Sequence, residues 1–516
     1  MKKWARWMPT ADTGAPPVAD VCMVIEGAYP YVSGGVSSWV HDLISAQSDL
    51  SFHLAVLKAD DRPRPLRFTL PANVVGMTEI ALQQMPTGVP VGQRAQPMMK
   101  HLEPLLSALL QGGGAREFQQ LLDTLKAHPA TANTAQLLNS EAAFQTLQRM
   151  YRQSVPDTSF LQYFWSWRSL VGGMLSVLLA PLPKARVYHA VSTGYAGLFM
   201  ARAANDAGRP ALLTEHGIYT NERRIELAMA EWLNDHRKPS LQLEKGVRGL
   251  SDVWLDAFVS YSRICYRFCS QIITLYGGNQ PMQLRDGAIA ERMTLIPNGV
   301  DIDMYGAVKP ASQSRLPTIA LIGRVVQIKD IKTYIRAVAL LRTKVPAVRA
   351  LLIGPTEEEP VYYRECLSMV EHLGLHDCFE FTGRVRLADY LGQVDVAVLT
   401  SVSEAQQLVL LEAGAAGVPC VATDVGACRE IVEGRLDETP HLGLGGRVTP
   451  LANPQATAQA LAELLLDPAL RARCSAAIQA RTVRYYSNRT VYAAYEALYR
   501  KHMAEPDGTP AAKGLY

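Results

Sequence analysis

The sequence predicts an α/β protein of two doubly wound, Rossmann-like domains, the first enlarged by a helical insertion. Three observations carry that reading. Short apolar runs recur between helical patterns along the chain, as parallel sheets with crossover helices require. Several of these runs lack polar alternation, which fits strands covered on both faces. Lys309 to Pro317, KPASQSRLP, is polar, is bracketed by prolines and separates two such series, so it marks the clearest domain boundary. The 516 residues allow two to four domains. A content of 48% hydrophobic, 19% charged and 8% aromatic residues is that of a folded globular chain. A chain of this size stabilises itself by burial, without needing disulfides or a metal.

In the first half the runs that read as strands are Val21–Glu26, Phe52–Leu57, Arg186–Val191, Ala211–Thr214, Gln271–Leu275 and Met293–Ile296. In the second half they are Thr318–Ile322, Ala350–Ile353, Phe379–Thr382, Asp395–Thr400 and Cys420–Thr423. The insertion covers roughly residues 85–180, rich in Leu, Gln and Ala, with one break at Gly112-Gly113-Gly114. The expected division is residues 1–307, 308–480, and a C-terminal helix within 481–516 that returns to the first domain. Tyr492, Tyr495 and Tyr499 recur at helical spacing in that tail and read as a packed face. Residues after Glu505 read as a frayed end.

Several function classes are disfavoured. The balance of 51 Lys plus Arg against 48 Asp plus Glu gives no support to a nucleic-acid binder. The basic N-terminus lacks the apolar core of a signal peptide, and the longest apolar run, Leu170–Ala180, is too short to span a bilayer. The expectation is therefore a cytoplasmic protein, with Trp165 and Trp167 offering a weak case for an interfacial helix. Eight cysteines are too sparse for a disulfide scaffold, and Cys265 and Cys269 read as buried small hydrophobes. His372 and His376 lack the partners of a metal site. Asp301-Ile302-Asp303 follows a turn and reads as structural. No Walker A loop, Gly-x-Ser-x-Gly elbow or zincin motif occurs.

Four constellations carry candidate chemistry. Gly34-Gly35, after the first strand, permit close ligand approach at the start of a helix near Val36; the spacing is not that of a dinucleotide fingerprint. Arg324, at the carboxyl end of the first strand of the second half, and Lys329, five residues on, can converge on one phosphate group. In Ser401–Ala413, Ser403 and Gln406 predict a capping box that starts a helix near Glu404 or Ala405. Glu404 would then lie in the loop mouth and Glu412 one to two turns deeper, two depths that suit different hydroxyl groups of one extended ligand. His216 follows a short strand and should reach the ligand side of the sheet, whereas His189 reads as a core histidine.

Taken in order, Gly34-Gly35, Pro297-Asn298-Gly299-Val300-Asp301, Gly323-Arg324 with Lys329, and Glu404 with Glu412 resemble the retaining, nucleotide-sugar-dependent glycosyltransferases of family four. The resemblance implies the GT-B fold, two Rossmann-like domains facing a cleft. It implies Arg324 and Lys329 on the donor diphosphate, Glu412 on the ribose, Glu404 on the transferred sugar and His216 near the reacting carbon. It also implies Gly34, Gly35, Leu408 and Val409 in donor binding, and no metal cofactor. Many relatives carry Pro-Phe-Gly where this chain has Ala405-Gln406-Gln407. More narrowly, Glu26–Tyr31, Glu215–Arg223 and Thr423–Glu430 are similar to the branch of the family that makes the Pel exopolysaccharide. That branch implies a UDP-sugar donor, a growing glycan as acceptor and Pel synthase proteins of the inner membrane as partners. Two other readings stand beside it: a catalytically idle nucleotide-binding scaffold subunit, and a GT-B nucleotide-sugar epimerase.

Overall fold

The computed structural model describes residues 18–88, 96–229, 248–309 and 316–505. The basic N-terminal stretch, most of the KPASQSRLP linker and the tail after Glu505 lie outside the described residues. The chain divides into two compact units. Unit 1 comprises residues 1–274, 280–294 and 496–516, and unit 2 comprises residues 275–279 and 295–495.

Unit 1 carries a seven-stranded sheet built from β1 (Ala19–Glu26), β2 (Phe52–Lys58), β3 (Val74–Ala81), β4 (Ala185–Ala190), β5 (Ala211–Glu215), β6 (Gln271–Thr274) and β7 (Met293–Leu295). Its order is β3-β2-β1-β4-β5-β6-β7, with parallel pairing from β3 through to β6. The chain reverses direction across the sheet between β1 and β4, the switch point at which open α/β sheets bind ligands. β1 and β2 are almost wholly buried, which is why their sequences run apolar without alternation. β3 escaped the sequence reading because it is an edge strand. Its residues are mostly half-exposed, and Gly76 interrupts the run.

The insertion between β3 and β4 is helical, with helices Gln96–Leu109, Ala115–Ala127, Thr134–Leu137, Glu141–Ser154 and Phe160–Leu179. The glycine triplet breaks the first from the second, as its composition predicts. Leu170 to Leu178 is buried inside the last of these helices. Trp167 is buried too, its indole N–H donating to Met150 Sδ at 3.4 Å, so only Trp165 of the pair faces outward and the interfacial reading loses half its basis. Among the described residues no helix is long and apolar enough to cross a membrane. Cys265 and Cys269 are free and buried, and Tyr495 and Tyr499 are fully buried, in keeping with the packed face expected of the tyrosine stripe.

Unit 2 carries a six-stranded parallel sheet of β8 (Thr318–Ile322), β9 (Arg349–Ile353), β10 (Phe379–Gly383), β11 (Val396–Leu399), β12 (Cys420–Thr423) and β13 (Gly446–Thr449). The order is β10-β9-β8-β11-β12-β13, with the switch point between β8 and β11. The sequence reading missed β13, another edge strand, whose residues are Gly-Arg-Val-Thr. Residues 295–307 group with this unit. Val300 there pairs with Ser487, its N–H donating to Tyr486 O at 2.8 Å.

Candidate functional site

In unit 2 two loops leave the carboxyl ends of β8 and β11, on either side of the switch point. Beyond β8 the Gly323 N–H donates to Ile353 O at 2.9 Å. A Cβ at Gly354 would lie 2.0 Å from Gly323 O, so glycine is required for the two strand ends to close. A single 3-10 turn, Gln327–Lys329, then leads to Asp330, whose side chain caps the helix Ile331–Arg342. Beyond β11, the Thr400 hydroxyl donates to Lys329 O at 2.9 Å and to Asp330 O at 3.0 Å. The Val402 N–H donates to Ile328 O at 3.0 Å. These bonds lock the loops together and bring Lys329 against the second of them. Lys329 Nζ donates to Glu404 Oε1 at 2.5 Å and to Gln407 Oε1 at 3.4 Å.

Arg324 is placed differently. It sits at the same strand end, about half exposed, with Nη1 donating to Glu358 Oε2 at 2.6 Å. A pair this exposed contributes about 0–1 kcal/mol, so the guanidinium is cheaply released to another anion. Of the two cations expected to converge, the structure joins Lys329 to Glu404 and leaves Arg324 with Glu358.

The predicted capping box does not form. The helix runs Leu408–Ala415, and Gln407, at its N-cap, makes no side-chain cap bond. Of its two expected members, Gln406 is employed elsewhere. Gln406 Oε1 accepts the Asn298 N–H at 2.5 Å, and Asn298 Nδ2 reaches Gln406 O at 3.4 Å. Gln406 thus seats the Pro297–Val300 turn on the loop, and residues 401–407 form neither helix nor strand. Glu404 accordingly lies in the loop. Glu412 lies in the second turn of the helix, its carboxylate accepting from Tyr305 Oη at 3.0 Å, and burial raises its pKa. Leu408 and Val409 occupy the first helical turn, where N–H groups lack intrahelical acceptors. Asp301 is an N-cap, accepting from the Asp303 and Met304 N–H groups, the structural role expected of Asp-x-Asp.

The loop after β12 supports Glu404 from behind. The Ala427 N–H donates to Ala405 O at 2.7 Å. Gly426 has φ +53°, and a Cβ there would fall 2.1 Å from Ala405 O and 2.4 Å from Glu404 O. Gly426→Ala is therefore expected to cost about 1–3 kcal/mol of stability and to displace Glu404. Chemical denaturation together with turnover will check this, and a variant with unchanged midpoint and rate would remove Gly426 from the supporting structure.

In unit 1, Gly34 is the N-cap of the helix Gly35–Ala46, and no heavy atom of the described residues lies within 4 Å of where its Cβ would stand. His189 is the core histidine expected: fully buried, it is bonded to Tyr499 Oη at 2.7 Å and Thr214 Oγ1 at 2.9 Å. His216 follows β5. Its ring and that of Trp39 meet edge to face with centroids 4.5 Å apart, its Nε2 is buried without a hydrogen-bond partner among the described residues, and burial lowers its pKa to about 4. Three residues around it carried no individual role in the sequence reading. Glu26 ends β1 and Glu215 ends β5, and Tyr219 bonds to both carboxylates. The available signal was an acidic residue closing an otherwise apolar strand, twice in one sheet.

Two Rossmann-like units with parallel sheets, the second presenting a cation and a carboxylate across its switch point, define a protein of GT-B fold. Residues 19–291, just over half of the chain, match the family described as Domain of unknown function (DUF3492), and the chain belongs to that family. Residues 316–467 match the family described as Glycosyl transferases group 1. The chain is 28% identical over 306 residues to an MMP α-(1→4)-mannosyltransferase of Mycolicibacterium hassiacum, covering 58% of this chain and 66% of that protein. It is 30% identical over 215 residues to a D-inositol 3-phosphate glycosyltransferase of Xylanimonas cellulosilytica, covering 39% and 49% respectively. The match thus spans about half to two thirds of the length of these relatives. Among solved structures, HepE of Anabaena in complex with UDP aligns with TM-score 0.57 at 16% identity, over 93% of this chain and 99% of that one. Sucrose-phosphate synthase of Thermosynechococcus elongatus aligns with TM-score 0.57 at 17% identity, over 94% and 99%.

Proposed function

We propose that this chain is a retaining glycosyltransferase that moves a hexose or N-acetylhexosamine from a UDP-sugar to a growing exopolysaccharide, a counterpart of PelF in Pel synthesis. The observation that carries the reading is Lys329 held against Glu404 at the β8/β11 switch point, within the segment matching glycosyl transferases group 1. Breaking a sugar–phosphate bond leaves negative charge on the diphosphate and positive charge on the anomeric carbon. A fixed cation at the strand end stabilises the first, and preorganised charge of this kind is usually the largest catalytic contribution. Lys329 takes that role, with Arg324 turning from Glu358 to the diphosphate. Glu412 accepts the ribose hydroxyls, Glu404 the hydroxyls of the departing sugar, and the Leu408 and Val409 N–H groups face the phosphates. His216 in unit 1 serves the sugar and Gly34-Gly35 the phosphate approach. The leaving phosphate takes the acceptor proton, so no carboxylate nucleophile and no metal are called for. Pel synthase proteins of the inner membrane would pass the glycan on.

A panel of nucleotide sugars scored by thermal shift tests the reading, because a ligand that binds only the folded state raises its stability. HepE having been solved with UDP makes uridine the first base to try. UDP-glucose or a UDP-N-acetylhexosamine should raise Tm more than the GDP- and ADP-sugars, and acceptor-dependent UDP release should follow. Equal shifts for all bases, or shifts without UDP release, would remove the proposal.

A further inference from the structure

We propose that Glu26 and Glu215 are positioning residues that grip Tyr219 from its two ends and so fix the turn carrying His216. The proposal rests on the assignment of His216 to the reacting sugar made above. Glu215 Oε1 accepts the Tyr219 backbone N–H at 3.1 Å, closing the four-residue turn from the end of β5 to the start of the helix Tyr219–Met229. At the far end of the same residue, the Tyr219 hydroxyl donates to Glu26 Oε1 at 3.1 Å. His216 therefore sits on a segment whose following strut is held at backbone and side-chain tip.

Each carboxylate is itself fixed. Glu215 is 1% exposed and also accepts from the Tyr266 hydroxyl at 2.6 Å and from Gln283 Nε2 at 2.8 Å. Glu26 Oε2 accepts from the Ser192 hydroxyl at 3.2 Å and the Ala196 N–H at 3.3 Å. It thereby spans the β1/β4 switch point of this sheet. A Cβ on Gly194 would come 2.5 Å from the Tyr219 hydroxyl and 2.6 Å from Glu26 Oε2, so the grip closes only over a glycine. Arg223 lies over the Tyr219 ring, 4.9 Å from its centroid, and its charge favours the Glu26 carboxylate.

One buried acid and one partly buried acid are a costly way to hold one tyrosine if packing alone were the purpose. What they add is direction. All four hydrogen bonds to Glu215, the fourth from the Thr193 hydroxyl at 3.5 Å, come from donors, so the ionised carboxylate is the form that satisfies them together. Burial pushes its pKa up to about 7, with Glu222 of the same helix adding to the rise. The Tyr266 hydroxyl and the Cys265 thiol face it from the helix Leu250–Phe268. Lowering the pH through 7 adds a proton to Glu215 and removes one acceptor site from the grip.

The test uses the full chain and two readouts. Tyr219→Phe deletes only the hydroxyl that Glu26 holds, and Gly194→Ala wedges the grip apart without replacing either acid or the histidine. Both are expected to shift the His216 ring resonance, assigned by its loss in His216→Gln, and to lower kcat about tenfold with donor KM within twofold. Glu215→Gln is expected to flatten the rise of kcat with pH near 7. A His216 resonance unmoved in both Tyr219→Phe and Gly194→Ala overturns the proposal, as does a loss confined to thermal stability. A moved resonance in a protein that releases no UDP from any nucleotide sugar keeps the grip and removes the glycosyltransfer reading instead.

Discussion

A Lys329→Ala protein is expected to turn over its nucleotide sugar about 10²–10³-fold more slowly than the wild type, the scale seen when one preorganised group facing developing negative charge is removed. One cation about 4 Å from an anionic oxygen contributes about 4 kcal/mol of gross Coulomb energy at an effective dielectric near 20. Desolvation reduces that figure, but Lys329 is already largely withdrawn from water, with its side chain 13% exposed. The variant has a second consequence, because Glu404, 11% exposed, loses its charged partner. Stability should therefore fall along with rate. Adding Glu404→Gln removes the stranded charge, so the double variant should regain stability while turnover stays low. UDP release and denaturation midpoints, measured on the single and double variants and the wild type, separate the two effects. Wild-type turnover in Lys329→Ala would end the assignment of this residue to the leaving group, and turnover that returned with stability in the double variant would reduce Lys329 to a structural role.

How far the sequence disclosed this arrangement depends on where each residue's partners lie. β1, β2, β8 and β12 were legible because strands buried on both faces run largely apolar without alternation. β3 and β13 were not, since an edge strand pairs on one side only and tolerates Gly76 or Gly446 and Arg447. Lys329 and Glu404 were legible as candidates from their positions after strands. Their direct bond was not, because it depends on Thr400 and Val402 drawing two loops 70 residues apart into register. The capping box failed for the same reason in reverse. Ser403 and Gln406 have the right local spacing, but Gln406 gains more from the buried Asn298 N–H than from a helix end. Tertiary demand overrides local preference wherever a buried donor would otherwise be left unpaired. Glu26 and Glu215 illustrate the limit of spacing arguments. Each is a lone acid at a strand end, and only folding discloses that both reach Tyr219.

Arg481→Met is expected to destabilise unit 2 by about 3–5 kcal/mol, the largest loss of stability predicted for a single side chain here. Arg481 and Glu438 are both fully buried, and their pairing is bidentate, Nε to Oε2 at 2.7 Å and Nη2 to Oε1 at 2.9 Å. The remaining guanidinium donors reach Ile431 O at 3.2 Å, Val432 O at 3.1 Å and Gly443 O at 2.5 Å. The first two carbonyls end the helix Cys428–Val432, so Arg481 caps that helix and anchors the excursion from 433 to 445 in one stroke. Removing it leaves a buried carboxylate without its counter-charge and takes a donor from three carbonyls, of which Val432 O keeps the Gly445 N–H at 2.7 Å. Arg481→Lys is expected to rescue little, since an ammonium lacks the planar fork that five acceptors require. Burial opposes ionisation of Glu438, but Arg481 and the Leu442 N–H more than offset it and hold the carboxyl below its ordinary pKa. The stability the pair contributes is then fully present above the carboxyl's unfolded pKa, about 4.3, and is lost as pH falls through the lower folded value. Urea midpoints of wild type and Glu438→Gln should therefore converge in acid and separate above pH 5. A constant gap between them across that range would mean that the ion pair is not what holds the segment.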